Sequence, residues 1–550
     1  MSNSNKNEWW RNAIIYQIYP RSFLDSNDDG IGDIAGIVTK LDYIASLGVD
    51  AIWVSPFFTS PMKDFGYDVS NYHDIDPIFG NMDDFNMLIE GAHKRNLKVI
   101  IEQIYSHSSN LHPWFRESRQ NKTNPKSDWY VWHDPKPDGS PPNNWQAIFG
   151  GPAWTFDSFR KQYYFHQFLP EQPDLNIWNI NVQDELCAIA KFWLDKGVDG
   201  FRMDATNQYM HNRSLKDNPA RDTDDPIFKT SPVWNPNMMQ HHINDKSQPE
   251  NLEFIEKIRE ITDQYPDKFL LGEIFEDKDI EIKLLAEYTK GDKRLNTAYC
   301  FNFLCAQDLT SHLIQDSCEE FYKLAPDSWP SWSFSNHDWG RAVSRWGKKH
   351  KDDPNLGKML IALLCSLRGT IQIYQSEELG LPDTNINFED LRDPLGIYTW
   401  PQWKGRDGCR TPIPWTDKGE HLGFSNKEGK IWLPAQQDQK DHSVLKQKQD
   451  NNSVLNHTIS FTHWRKQDDI TLYGDINFID LNNEQISCFK RKYKDKENIY
   501  IFNLSHLEIK IPLESIALAN KLSTSIKNNS NINDKKLTLK SFGYAILSKD

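Results

Sequence analysis

The sequence predicts an α/β fold: a closed (β/α)8 barrel with a subdomain inserted after its third strand and a C-terminal antiparallel β domain. Three observations carry this. Eight short, apolar, β-rich runs recur between Ala13 and Glu378, most of them separated by a helical stretch. Strands alternating with helices imply a parallel sheet, and eight such units imply closure. One connection is much longer than ordinary loops, and the style of the chain changes after about residue 475.

The runs follow in order. "AIIYQIYP" (Ala13–Pro20) precedes the helix-like "IAGIVTKLDYIASLG". "DAIWVSP" (Asp50–Pro56) precedes "MDDFNMLIEGAHKRN". The third is "KVIIEQIYSH" (Lys98–His107). After a gap come "GVDGFRMDA", "KFLLGEIFED", "LNTAYCFNF", "SWSFSNHD" and "TIQIYQSEE". The gap, 108–178, is rich in Trp, Pro, Asn and Gly and has no repeat unit, so it is expected to be a subdomain. A second insertion rich in Pro, Gly and charge falls near 380–450. The barrel is then expected over 1–107 and 179–474, and a β-sandwich over 475–550, where "INFIDL", "QISCFKRKY", "NIYIFNLS" and "KSFGYAILS" look like antiparallel strands.

Composition narrows the function. Hydrophobic content of 38% and charged content of 25% are those of a globular protein. A net charge of −14 argues against nucleic-acid and anionic-membrane partners. No apolar run is long enough to span a bilayer. The opening "MSNSNKNEWW" lacks the apolar core of a signal peptide, which makes the cytoplasm the expected compartment. The seven cysteines show no CxxC spacing and are read as reduced thiols. The oligomeric expectation is a monomer or homodimer.

In such barrels active sites gather where strands end. Strand 3 ends in His107, strand 4 in Arg202 and Asp204, strand 5 in Glu273, and strand 7 in His337 and Asp338. A lone acid after a strand is usually a cap or an ion-pair member. Six such groups on one rim are harder to explain that way. Three acids without metal-ligand spacing suit acid–base and nucleophilic work on a neutral polar substrate. Glycoside hydrolysis needs one carboxylic acid for the leaving oxygen and one carboxylate as nucleophile or base. Arg202 and Asp204 lie two apart, so in a strand they share a face, and two buried charges there need each other.

Separately, "DSNDDGIGD" spaces Asp25, Asn27, Asp29, the Ile31 carbonyl and Asp33 like the start of an EF-hand loop, with Gly36 where that motif carries Glu. An Asp/Gly turn without an ion reads equally well from the spacing alone.

The stretches "GYDVSNYHDIDPIFG", "QPDLN", "GFRMDATN", "GEIFED", "FSNHD" and "GRDGCRTPIPW" together resemble glycoside hydrolase family 13, the α-amylase family, in its α-glucosidase and oligo-1,6-glucosidase branch. The resemblance runs from near residue 10 to about 415. It implies that Asp204 is the nucleophile, Glu273 the general acid and then base, and Asp338 the group that stabilises the oxocarbenium-like state. It further implies that Arg202 keeps Asp204 ionised, that His107 and His337 donate to the bound sugar, and that Asp64 and Tyr67 hold its non-reducing end. Arg410 is expected to pair with Asp64 and close the pocket, making the enzyme exo-acting, and Phe149 to line the pocket. The branch carries a structural Ca²⁺ or Mg²⁺ at the loop matching Asp25–Asp33, outside the chemistry.

Three positions depart from or refine this pattern. Glu102 stands where the family has an Asp that contacts the arginine matched by Arg202. Ser376 stands where the branch usually has Gly, so a small backbone adjustment is expected there. Ala205, after the nucleophile, is associated with α-1,4 rather than α-1,6 linkages, pointing to maltose-like substrates or sucrose. The expected activity is thus a retaining α-glucosidase acting on small α-glucosides. The alternatives are an α-glucosyl transferase or sucrose isomerase of the same fold, or a catalytically weakened sugar-binding relative. Non-enzymatic transporter heavy chains share the fold but carry a membrane span, which this chain lacks.

Overall fold

The computed structural model describes residues 8–222, 224–225, 235–516 and 522–549. Eight parallel strands close into a barrel: β1 (Ile14–Ile18), β2 (Ala51–Val54), β3 (Lys98–Gln103), β4 (Gly200–Met203), β5 (Phe269–Glu273), β6 (Thr297–Tyr299), β7 (Ser331–Ser333) and β8 (Thr370–Tyr374). Each pairs with its sequence neighbours, and β1 pairs with β8. All eight predicted runs supply one strand each.

The strands are buried on both faces, as a helix-wrapped parallel barrel requires. Alternate residues point inward. Near the start of the strands these are apolar: Ile15, Ala51, Ile100 and Phe269 pack in one interior cluster. One step further along, the inward positions become Gln17, Glu102, Arg202 and Glu273, all buried. The barrel thus has an apolar plug below and a polar floor above. Outward residues such as Ile52, Val99, Phe201 and Leu270 pack in the surrounding core with the helices.

The helices start where their sequences say they should. Met82–His93 opens on a reciprocal Asn81–Asp84 capping box. Ile180–Asp195 is capped by Asn179, and Pro354–Ser366 by Asp353 with Pro at the first turn.

Between β3 and β4 a small antiparallel sheet forms from Trp132–His133, Gln162–Phe165 and Trp154–Asp157. Its own core holds Trp145, Trp154 and Phe165.

The C-terminal strands are β9 (Asp475–Phe478), β10 (Ile486–Tyr493), β11 (Lys496–Asn503), β12 (Ile509–Pro512), β13 (Leu522–Asn533) and β14 (Lys536–Lys549). All six hydrogen-bond into one connected antiparallel sheet, and its two ends share one core of Ile499, Ile501, Leu537, Leu539 and Leu547. The reason is the length of β14, which pairs with β11, β12 and β13 at once. One face of the sheet carries Phe502, Tyr544 and Ile546 into the barrel's core. Arg491, wholly buried, donates 2.7 Å to the Ser366 carbonyl at the end of a barrel helix.

After β8, Ser376 adopts the left-handed region (φ 74°, ψ −3°). This is a conformation that glycine adopts more readily than serine. The Ser376 hydroxyl is buried without a partner. A side chain in that region costs about 1–2 kcal/mol, and an unpaired buried hydroxyl costs a further 1–3, roughly. Ser376→Gly is therefore expected to stabilise the protein by about 1 kcal/mol after the added chain entropy of glycine, read as a higher denaturation midpoint with an unchanged slope.

Candidate active site

A cavity of 180 Å³ opens above the polar floor of the barrel. Asp204, Glu273 and Asp338 all line it, with Asp64, Tyr67, His107, Phe149 and Arg406. Arg202, His337 and Arg410 do not line it; they lie behind these groups, at most 1% exposed.

The local backbone aims the acids. β4 ends at Met203, the Asp204 N–H donates to the Gln103 carbonyl (3.0 Å), and Ala205 turns left-handed (φ 43°) into a short 3-10 turn. That reversal presents Asp204 to the cavity. The Ala205 N–H then donates to Glu273 (2.9 Å), so the turn positions the neighbouring acid too.

Register places Glu102 of β3 directly beside Arg202 of β4. The Arg202 guanidinium serves three carboxylates: Asp204 at 2.6 Å, Glu273 at 2.6 Å and Glu102 at 2.9 Å. It also donates to the Tyr299 hydroxyl (2.6 Å), which donates on to Glu273 (3.0 Å). Burial pushes the Asp204 carboxyl well up, and the charges of Glu273 and Glu102 add to this; the Arg202 contact works against it.

Asp338 is the opposite case. Burial works against its charge, but His337 and the guanidiniums of Arg406 and Arg410 outweigh it and hold the carboxyl well below the usual range. The His337 ring is kept neutral by burial, at about 3. The Gln17 amide lies 2.7 Å from Nδ1, and Nε2 faces Asp338 (3.1 Å) and the Tyr67 hydroxyl. Tyr67 stacks on His337 at 5.5 Å, nearly parallel. His107, also kept neutral by burial at about 4, sits 3.0 Å from the Gln172 amide and 2.8 Å from the Ser106 hydroxyl.

The pair expected to close the pocket is corrected. Asp64 binds Arg406 (2.9 Å), not Arg410. Arg410 donates instead to Asp338 (2.8 Å) and to the His337 carbonyl (2.6 Å). Both arginines flank one 3-10 turn (Asp407–Cys409), so the motif alone does not say which reaches Asp64. Asp393 decides it, gripping the Arg406 guanidinium at 2.9 Å. Burial raises the Asp64 carboxyl to about 6 against the pull of Arg406 and Arg410. The Gln172 amide, in the predicted "QPDLN" stretch, also reaches Asp64 (3.2 Å). Phe149 packs 5.1 Å from the Arg406 guanidinium.

Sequence reasoning missed Arg406, Asp393, Tyr299, Gln172 and the outer wall of the cavity. That wall is apolar: Ile148, Phe275, Phe301, Trp339, Leu395 and Trp403. Arg406, Gln172 and Phe275 lay inside quoted motifs, and Tyr299 and Phe301 inside a quoted strand run; the rest come from stretches with no distinctive pattern.

The Asp25–Asp33 loop lies apart from the cavity lining. Asp25 accepts the Gly30 N–H (2.7 Å), Asn27 that of Asp29 (3.0 Å), Asp29 that of Ile31 (2.8 Å) and Asp33 that of Gly36 (2.6 Å). Lys427 supplies a cation from outside, 2.5 Å from the Asp29 carbonyl. These side chains turn onto their own loop rather than converging. Among the described residues no cluster of three or more acids, histidines or cysteines is placed to hold a metal. The residues present do not fit the expected ion, and no step below runs through this loop.

A parallel barrel with three acids over one buried arginine at its strand ends defines a glycosidase-type site. The chain belongs to the α-amylase family of glycoside hydrolases: the family's catalytic domain matches residues 17–474. A "Probable alpha-glucosidase" of Rhizobium meliloti (strain 1021) is 48% identical over 498 residues, 90% of each chain. A solved α-glucosyl transfer enzyme, XgtA, superposes with a TM-score of 0.94 at 46% identity, covering 99% of this chain and 100% of that one. The isomaltulose synthase of Erwinia rhapontici NX5 superposes at 0.87 with 30% identity, covering 98% and 99%.

Two predictions follow from this geometry. Arg406→Ala strands Asp64 and Asp393 as buried charges and is expected to lower kcat/KM at least 100-fold, about 2.7 kcal/mol, measured by steady-state kinetics on short α-glucosides. Behind the outer wall, Glu281 accepts the Phe301 N–H (3.1 Å), and burial raises its carboxyl from 4.5 to about 8. The folded protein keeps a proton there that the unfolded chain releases above 4.5. Stability from this group is therefore complete at low pH and lost as pH rises through about 8, by at most about 1.4 kcal/mol per unit. Glu281→Gln is expected to raise Tm at pH 8 while leaving it nearly unchanged at pH 4.5, checked by calorimetry at both.

Proposed function

We propose that this protein is an exo-acting, retaining α-glucosidase that removes glucose from the non-reducing end of short α-glucosides, maltose-like sugars or sucrose. The observation that carries this is the closed pocket end. The Asp64–Arg406 pair is buried in the cavity lining beside Asp338, which supports a pocket closed beyond one sugar. In the first step Asp204 attacks the anomeric carbon and the glycosidic C–O bond breaks. Glu273 gives its proton to the departing oxygen, leaving a glucosyl ester on Asp204. In the second, Glu273 takes a proton from water, whose oxygen attacks the same carbon and frees Asp204. Asp338, held ionised, faces the positive charge that develops on the ring. The small Ala205 side chain in the cavity lining supports an α-1,4 or sucrose preference. The seven free cysteines agree with a reducing compartment such as the cytoplasm, and no helix among the described residues is long and apolar enough to cross a membrane.

A second reading, glucosyl transfer, is favoured by the outer wall. Its aromatic and aliphatic side chains offer a second sugar few hydrogen bonds and present an apolar face to whatever occupies the acceptor side. Two of the structural relatives above are a glucosyl transfer enzyme and an isomaltulose synthase.

Incubating the protein with maltose, isomaltose and sucrose separates the two. Free glucose that disappears in Asp204→Asn, with maltose or sucrose preferred, is the expected outcome. New glucosides formed with added alcohols in place of free glucose would select transfer. No turnover of any of the three sugars would refute both.

A further inference from the structure

The Arg202 cluster holds one more carboxylate than the reaction uses. Asp204 and Glu273 line the cavity; Glu102 does not, and it is wholly buried beneath them. One Glu102 oxygen accepts from Arg202 (2.9 Å). The other accepts from the Trp53 indole (2.9 Å) and the Tyr67 hydroxyl (3.3 Å). The longer glutamate arm thus joins the arginine beneath the nucleophile to the aromatic ring at the sugar pocket.

We propose that Glu102 is a positioning residue with two separable parts: its charge keeps the catalytic proton on Glu273 to higher pH, and its reach holds the Tyr67 ring. This rests on the glucosidase reading above.

The charge argument is a count. The first step needs Asp204 ionised and Glu273 protonated. With Glu102 ionised, Asp204, Glu102 and Arg202 then sum to −1. Losing the Glu273 proton takes the buried cluster to −2 around a single cation. Without the Glu102 charge, the same loss takes it only from 0 to −1. Like charges sharing a buried site oppose ionisation, so Glu102 delays that loss. The groups that face Glu102 are few. They are Arg202 from β4 and Asp204 just after it, Glu273 from β5 and Tyr299 from β6. Tyr67 comes from the loop after β2, with His337 and Asp338 behind it. Burial raises the Glu102 carboxyl to about 7, against the pull of Arg202 and with Glu273 adding to the rise.

The reach argument is geometric. The Tyr67 hydroxyl has two partners, Glu102 and His337. An aspartate is one methylene shorter and gives up the Trp53 and Tyr67 contacts if it keeps Arg202.

The test is the pH dependence of kcat/KM and the split between kcat and KM in the full-length protein. Glu102→Gln, which removes charge and keeps length, is expected to move the alkaline limb down by about one pH unit with KM changed less than threefold. Glu102→Asp, which keeps charge and loses reach, is expected to leave the limb within about 0.3 unit and raise KM at least fivefold. Tyr67→Phe should repeat the aspartate's KM effect without moving the limb. Should Glu102→Gln not fold, Glu102→Asn removes the charge at the aspartate's length, and is expected to move the limb down by about one pH unit relative to Glu102→Asp. A limb unmoved in Glu102→Gln, or moved equally in Glu102→Asp, overturns the inference. The glucosidase reading fails differently, by absence of turnover in the parent protein.

Discussion

One guanidinium organises this molecule's chemistry. Arg202 sits on β4 with no exposure, and three carboxylates from three adjacent strands converge on it. Taking one carboxylate out of water costs several kcal/mol, roughly, and three without a cation would not remain ionised together. The arginine's planar fork offers separate nitrogens to separate oxygens, which a lysine does not. Placing that fork inside the barrel requires an apolar plug beneath it, and the interior cluster around Ile15, Ile100, Phe269 and Leu271 provides one. The barrel's layered interior and its acid cluster are therefore one construction.

A second arginine repeats the device at the sugar end. Arg406 binds Asp64, Asp338 and Asp393, tying the loop after β2, the loop after β7 and the insertion after β8 into one rim. The two centres treat their acids differently. Around Arg202, acids outnumber cations and their protons are contested. At the second centre the guanidiniums of Arg406 and Arg410 both reach Asp338, and it stays charged. That contrast suits an anion whose task is to remain negative while Glu273 gives and takes a proton.

The outer half of the cavity follows another rule. Its walls are aromatic and aliphatic, and behind them Glu281 holds the Phe301 backbone in place. Polar recognition is concentrated where one sugar ring must be held in one orientation, and apolar shape governs what leaves or arrives.

The sequence by itself determined the barrel, because short apolar runs and strand–helix alternation are local patterns that survive without coordinates. It also singled out the acids at strand ends and the arginine two residues before Asp204, because parity along a strand fixes which side chains share a face. The tertiary structure alone decided which arginine closes the pocket. Arg406 and Arg410 are four residues apart on one turn, and only Asp393, thirteen residues earlier and brought back by the insertion, selects between them. It alone also showed that the C-terminal strands form one sheet, since β14 is shared by three partners that no local pattern names. And it alone placed Glu102 against Trp53, Tyr67 and Arg202 at once, because those contacts span up to 100 residues of chain and depend on barrel register. Local periodicity encodes elements; long-range pairing of buried charges is settled only when the elements meet.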